Sequence, residues 1–380
     1  MSNNKILDKF KNGIDIIYEP QKIANENDCI GSMLWILPGL DTNGVVLVSI
    51  EMIQMILDLK YVVYVISSED GIYREQLLTR GVPVIIRPYV ICDKQYRKNL
   101  QKCFDVVFIS SICCYSYIYY FINTDTKVYW WIHETEEQLN TLPSIPDLKL
   151  LSDNIQLLAV TEKVAIGIRE RFQMKVPLLH IWICDCYSPQ KRISSDKITF
   201  LIPSAYTYIK GQDILLQAIA KLPEAYKLKS EFIFCGYQLE GQKQYLSLLE
   251  ECAAKLNNVF LLQELSKEQV YSKYKEVDCV VAPSRVDAAP ATIVEGMMFH
   301  KLCLCSSGAG ISQYMTDCID GFVFENENVS ELYKRLLFII EEYPNLMLMA
   351  EKGHKIYEHY FSKEVVKERL QELLSIKNPN

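Results

Sequence analysis

The strongest constraint on this chain is an alternation that runs along it twice. Short apolar runs at 32–37 (SMLWIL), 62–67, 82–86, 105–109, 128–131 and 155–160 read as buried strands. Between or after them, 45–59, 71–80 and 162–172 place apolar residues at helical spacing, with a further helix-like segment between 109 and 128. The pattern lapses at 184–197, where polar residues, Pro189 and paired serines mark a linker. It then restarts with strands at 198–202, 231–235 and 259–262 and helices at 211–222, 242–256 and 267–275. A run at 279–281 follows, and three helix-like segments close the chain at 329–342, 346–360 and 363–375. Short strands alternating with amphipathic helices predict parallel sheets with helices on both faces. The expected fold class is α/β, with two Rossmann-like doubly wound domains facing across a cleft. Their predicted extents are 1–185 and 186–360, with a C-terminal helix at 361–380 packing back on the first domain.

Composition narrows the function. Forty Lys and Arg stand against 47 Asp and Glu, which argues against a broad nucleic-acid-binding face, so no nucleic-acid partner is expected. The opening MSNNKILDKFKNG has no signal-peptide apolar core, and no uncharged apolar run reaches the roughly 18 residues of a membrane helix. A cytoplasmic location is the expectation. The 13 cysteines are odd in number and form no C-x-x-C pair. They read as reduced core residues, and no metal site is expected.

The chemistry concentrates in VAPSRVDAAPATIVEGMMFHKLCLCSSGAGISQYMTDCIDG, residues 281–321. A buried strand leads into a small-residue loop at 283–290, and a helix begins near Ala291. Free N–H groups and the positive end of the helix dipole suit a polyanion there. The small side chains of Ser284, Ala288, Ala289, Ala291 and Thr292 allow close approach to the backbone, and Pro290 cannot donate. The two acids, Asp287 and Glu295, suit sugar hydroxyls beside phosphates rather than phosphate itself. Other candidates also fall at strand ends: the loop ending at Gly44, His133 after VYWWI, and Lys210 after the first strand of the second half. A nucleotide-sugar pocket is the reading.

Two segments, IKGQDILLQAI at 209–219 and PSRVDAAPATIVEGM at 283–297, resemble the family 4 glycosyltransferases of the GT-B fold. The nearest likeness is to bacterial capsule and cell-surface polysaccharide members. In the first half only the glycine-bearing loop and WWIHE (130–134) match. The family carries an acid, seven residues, then Glu; here the pair is Asp287 and Glu295, with Asp in place of the usual Glu. The Lys-Gly pair corresponds to Lys210 and Gly211. Members often carry Arg five residues before that Lys, where this chain has Ala205.

The resemblance implies an enzyme that moves a hexose from a UDP- or GDP-linked donor to a hydroxyl, with retention and without metal or other cofactor. Lys210 would meet the diphosphate, Glu295 the ribose, and Asp287 the transferred sugar. Backbone N–H groups of Ala288, Ala289, Ala291 and Thr292 would cradle the phosphates, and His133 would lie near donor sugar and acceptor. Gly44 would approach the diphosphate and Gln263 the base, while Glu134 has a weaker claim. His300, His354 and His359 read as packing or helix-surface residues. A glycan or lipid-linked glycan would bind the first half, where 93–102 (DKQYRKNLQK) and 115–121 (YSYIYYF) suggest peripheral contact with the inner face of an anionic membrane. Two alternatives stay open: a nucleotide-sugar epimerase of the same fold, and a non-catalytic glycan-binding or partner protein.

Overall fold

The computed structural model describes residues 4–11, 14–41, 44–88, 94–140, 151–188, 196–239 and 241–375. The chain divides into two compact units: one ends at Trp182 and regains the chain from Arg369, and the other is Ile183–Glu368.

The first unit is built on a seven-stranded sheet of β1 (Ile16–Tyr18), β2 (Gly31–Leu37), β3 (Tyr61–Ser67), β4 (Val84–Ile86), β5 (Val106–Ser110), β6 (Lys127–Ile132) and β7 (Ile155–Ala159). Their order is β1-β4-β3-β2-β5-β6-β7. Six strands run parallel, and the near-continuous apolar β3 and β5 are wholly buried, as a sheet covered on both faces requires. β1 departs from the all-parallel expectation. It pairs antiparallel with β4 at the edge and is only half buried, too short a run to read from periodicity. Trp35, Phe108 and Tyr129 stand side by side on β2, β5 and β6 and stack at 4.7 and 4.9 Å. This aromatic ladder ties the centre of the sheet together. The segment between β5 and β6 is a 3-10 helix, Ile112–Tyr120, rather than an α-helix. The helix Arg74–Thr79 is shorter than the spacing suggests. The end of the helix Lys363–Leu374 lies on this unit. The Leu373 carbonyl accepts from Tyr129 Oη and from Lys127 Nζ at 3.1 Å, and Arg369 Nε donates to the Leu178 carbonyl at 3.2 Å.

The second unit holds a six-stranded parallel sheet of β8 (Ile198–Pro203), β9 (Ser230–Cys235), β10 (Val259–Leu262), β11 (Cys279–Ala282), β12 (Leu302–Ser306) and β13 (Phe322–Phe324), in the order β10-β9-β8-β11-β12-β13. That is the doubly wound order, and it reverses direction between β8 and β11. Its core gathers Phe200, Leu215, Ile219, Phe232 and Val281 with Leu332 and Leu336 of the helix Val329–Glu342.

The expected linker at 184–197 falls partly outside the described residues. Its start, 184–188, has no regular secondary structure and belongs to the second unit. The core reading of the cysteines fits Cys103, Cys114, Cys235, Cys279, Cys303 and Cys305. It fails for Cys29, Cys184, Cys186 and Cys318, which are exposed in turns and irregular segments, and for Cys113, exposed on a 3-10 helix, while Cys252 is half buried. The described cysteines are free thiols.

Candidate functional site

The topological switch of the second unit lies between β8 and β11, and ligands of such sheets bind beyond the strand ends there. The loop after β8 turns through a short 3-10 segment, Tyr208–Lys210, into the helix Gln212–Ala220. The loop after β11 runs to Pro290 and into the helix Ala291–Met298. Gly211 joins the two loops. Its φ is +66°, and a Cβ there would stand 2.1 Å from the Pro283 carbonyl oxygen, so only glycine lets them abut. Lys210, next to it, thereby reaches Asp287, and the ammonium and carboxylate pair at 2.5 Å. Asp287 itself is fixed by backbone: its N–H donates to the Gly308 carbonyl at 3.3 Å, and its carbonyl accepts from Gly310 N–H at 2.7 Å.

Beyond the loop, no side chain among the described residues caps the helix Ala291–Met298; Ile293 N–H donates to the Pro290 carbonyl at 3.1 Å, which leaves the N–H groups of Ala291 and Thr292 to face an anion. Ala291 and Thr292 lead this helix, and Ala289 is half buried. Ser284 and Ala288 are buried, at 2% and 7% exposure, so their side chains face the protein rather than solvent. Glu295 lies one turn in. Its carboxylate accepts from Tyr274 Oη at 2.7 Å, with Tyr271 Oη at 3.4 Å. Burial raises its pKa above the ordinary carboxylate value, and the tyrosine hydrogen bonds and Lys267 oppose that rise. Gln263 is exposed at the end of the edge strand β10. The preceding Leu262 carbonyl accepts from Tyr206 Oη at 2.6 Å, which ties this strand end to the loop after β8.

Sequence reasoning missed a brace beside this site. The Arg285 guanidinium grips Asp213 with two 2.8 Å hydrogen bonds, donates to Glu327 at 2.7 Å and to the Tyr208 carbonyl at 2.7 Å, and lies 3.8 Å over the Tyr208 ring. Asp213 also accepts from Tyr245 Oη at 2.7 Å. Burial alone would raise the Asp213 pKa, but the hydrogen bonds from Arg285 and Tyr245 hold it below the usual value. The signal was legible as opposite charges: Asp213 follows Lys210 by three residues, and Arg285 precedes Asp287 by two. Ala205, where the family often has Arg, is buried at 9% exposure. Arg285 does not replace that cation, because its donors already have carboxylate and carbonyl partners.

The remaining candidates lie in the first unit. Gly44 is the first residue of the helix Gly44–Asp58. A Cβ there would meet nothing within 4 Å among the described residues, so their packing does not demand glycine. His133 follows β6 and packs edge-on against Trp131 at 4.2 Å. Its Nε2 is buried with no hydrogen-bond partner among the described residues. Burial pushes its pKa down to about 3, so the imidazole is neutral at physiological pH. Glu134 has an internal task. It accepts from Ser111 Oγ and, at 3.0 Å, from the N–H groups of Ile112 and His133. It thereby holds Ser111 at a φ of 73°, a left-handed conformation costly for serine. Glu134 pins the turn that carries His133.

The basic stretch forms the helix Lys94–Cys103, with Lys94, Lys98 and Lys102 exposed; Asp93 lies outside the described residues. Arg97 Nε donates to the Tyr120 carbonyl at 3.1 Å. In the tyrosine run Tyr117 and Tyr120 are buried, and Tyr119 is 47% exposed. His354 packs on His300 at 3.7 Å, with Nδ1 3.0 Å from the Met297 carbonyl. Among the described residues no helix is long and apolar enough to cross a membrane.

The family model for glycosyl transferases group 1 matches residues 186–356. An uncharacterised glycosyltransferase of Methanocaldococcus jannaschii is 26% identical over 162 residues, 42% of this chain and 43% of that protein. The match thus spans less than half the length of that relative. Among solved structures, a glycosyltransferase from Rickettsia africae superposes with a TM-score of 0.76 at 17% identity, over 94% of this chain and 100% of that one. Anabaena HepE in complex with UDP-glucose superposes with a TM-score of 0.75 at 16% identity, over 91% and 99%. The structural likenesses show the GT-B fold, two parallel-sheet α/β domains, over more than nine-tenths of the chain.

Proposed function

We propose that this chain, whose residues 186–356 match the family model for glycosyl transferases group 1 and whose fold is GT-B, moves a hexose from a nucleotide-diphosphate sugar to a hydroxyl acceptor with retention of configuration. The observation that carries this reading is the Lys210–Asp287 pair at the switch between β8 and β11. In this reading the polyanion sits against Lys210 and the N–H groups at the start of the helix Ala291–Met298. The complex of HepE with UDP-glucose supports a nucleotide-sugar donor by analogy.

In this reading Lys210 exchanges its carboxylate partner for the diphosphate as the donor enters. Asp287 then accepts from hydroxyls of the transferred sugar, and Glu295 from the ribose. The bond from the anomeric carbon to the diphosphate oxygen breaks, and Lys210, the helix dipole and backbone donors stabilise the departing charge. The acceptor oxygen bonds the anomeric carbon on the same face and passes its proton to the departing phosphate. The developing charge has protein partners without a metal. His133, being neutral, serves as a hydrogen-bond partner to sugar hydroxyls rather than as a cation.

The test is turnover of UDP- and GDP-hexoses with a glycan acceptor, with the product anomer read by proton NMR. Wild type should give a retained glycoside, and Lys210→Gln should lose about a hundredfold or more in turnover. An inverted product would overturn retention. Product in which only the donor sugar has changed would identify an epimerase.

Ala205 favours a second reading, a glycan-binding partner without turnover, since one phosphate-binding cation common in the family is replaced by a buried methyl. Binding of a nucleotide sugar with no transfer to any acceptor would support it. A surface-polysaccharide role at the inner face of the cell membrane is part of the proposal. Lys94, Lys98 and Lys102 support it as an exposed basic row. Flotation with anionic liposomes should weaken when all three become Glu; unchanged flotation would reject that patch.

A further inference from the structure

The Glu295 carboxylate is gripped from a neighbouring helix. Lys267, Tyr271 and Tyr274 stand at i, i+4 and i+7 of the helix Lys267–Glu276, along one face. Tyr274 is fully buried, and its ring stacks on Phe299 at 5.2 Å with the planes 8° apart. Tyr271 meets the same Phe299 edge-on at 5.5 Å, and Lys267 lies 5.5 Å from the Tyr271 ring. The Tyr274 hydroxyl is 2.7 Å from Glu295 Oε2 and 3.1 Å from the Thr292 carbonyl oxygen. A phenol has one proton, and the carboxylate is the stronger acceptor and the nearer one. The Tyr271 hydroxyl is 3.4 Å from Oε1. The two carboxylate oxygens are therefore unequal. Oε2 is locked by a donor that packing holds in place, whereas Oε1 has a long contact that a better-placed hydroxyl can displace.

We propose that Tyr274 is a positioning residue for the donor. By fixing Oε2 it leaves Oε1 to a ribose hydroxyl, and so sets a preference for ribonucleotide over deoxyribonucleotide donors. The proposal rests on the reading of Glu295 as the ribose-binding carboxylate. A purely structural Tyr274 would affect all nucleotides equally. A positioning Tyr274 affects only those that carry the hydroxyl.

Calorimetric titration of the full chain with UDP and GDP and their 2′-deoxy counterparts separates the two. Wild type should prefer the ribonucleotide by about tenfold or more, the worth of a hydrogen bond to a charged group. Tyr274→Phe, which keeps the stacked ring, should cut that ratio to about threefold or less and leave deoxynucleotide affinity in place. Phe299→Leu, which loosens the phenol without touching its hydroxyl, is the second variant and should lower the ratio in part. An unchanged ratio in both variants, with wild type discriminating, overturns the positioning role. A wild type that binds nucleotides without discriminating overturns the ribose reading, and the proposal with it.

Discussion

At the scale of the residue, burial decides which groups carry charge. His133 titrates near 3 because desolvation disfavours its cation. In the unfolded chain it takes a proton near its ordinary 6.5. Below that value the unfolded state binds the extra proton, so this contribution to stability is present above 6.5 and is lost as pH falls toward 3. Imidazole nitrogen shifts of His133 should stay flat from about pH 8 to pH 5, and His133→Asn should soften the acid limb of the stability curve. A titration midpoint near neutrality would refute the buried, neutral assignment. Glu295 behaves in the opposite sense. Its pKa lies above the usual value, mainly through burial. The ionised form that accepts from ribose is therefore lost earlier than usual as pH drops. Nucleotide affinity should weaken on acidification above the ordinary carboxylate range, and Glu295→Gln should bind weakly with that dependence removed.

At the scale of the element, the site depends on two loops brought together by glycine. Gly211→Ala would place a methyl 2.1 Å from the Pro283 oxygen at a positive φ. It should cost about 2–4 kcal/mol in denaturant unfolding and weaken donor binding, because Lys210 and Asp287 would no longer register. That Lys210–Gly211 and Asp287 fall in the loops after β8 and β11 was legible in sequence, because polar and small residues interrupt the apolar strand runs there. Most strands and long helices were legible for the same kind of reason, since a buried parallel strand must be almost wholly apolar. β12 and β13 were not marked out as strands, although LCLCS is a buried run, because they lie inside or beside the loop-rich stretch read for its chemistry. The Tyr274 grip on Glu295 was hidden by a separation of 21 residues, and the Arg285–Asp213 brace, 72 residues apart, left only the trace of opposite charges beside Lys210 and Asp287. The internal role of Glu134 was not legible, because sequence does not show that Ser111 adopts a positive φ beside it.

At the scale of the whole molecule, the proposed donor residues divide unequally between the two units. Lys210, Gln263, Ser284, Asp287 and Glu295 belong to the second unit, which has its own sheet and core, whereas Gly44 and His133 belong to the first. Ile183–Glu368 expressed alone should therefore retain nucleoside-diphosphate binding within about tenfold of the full chain, while transfer is abolished. The measurement that bears most directly on the central claim is calorimetric titration of UDP- and GDP-hexoses into the full chain and its Lys210→Gln variant. We predict that one of the two donors binds the wild type at micromolar strength and that the variant binds it at least about tenfold more weakly. Equal affinity in the two proteins, or no heat with either donor, would contradict the account.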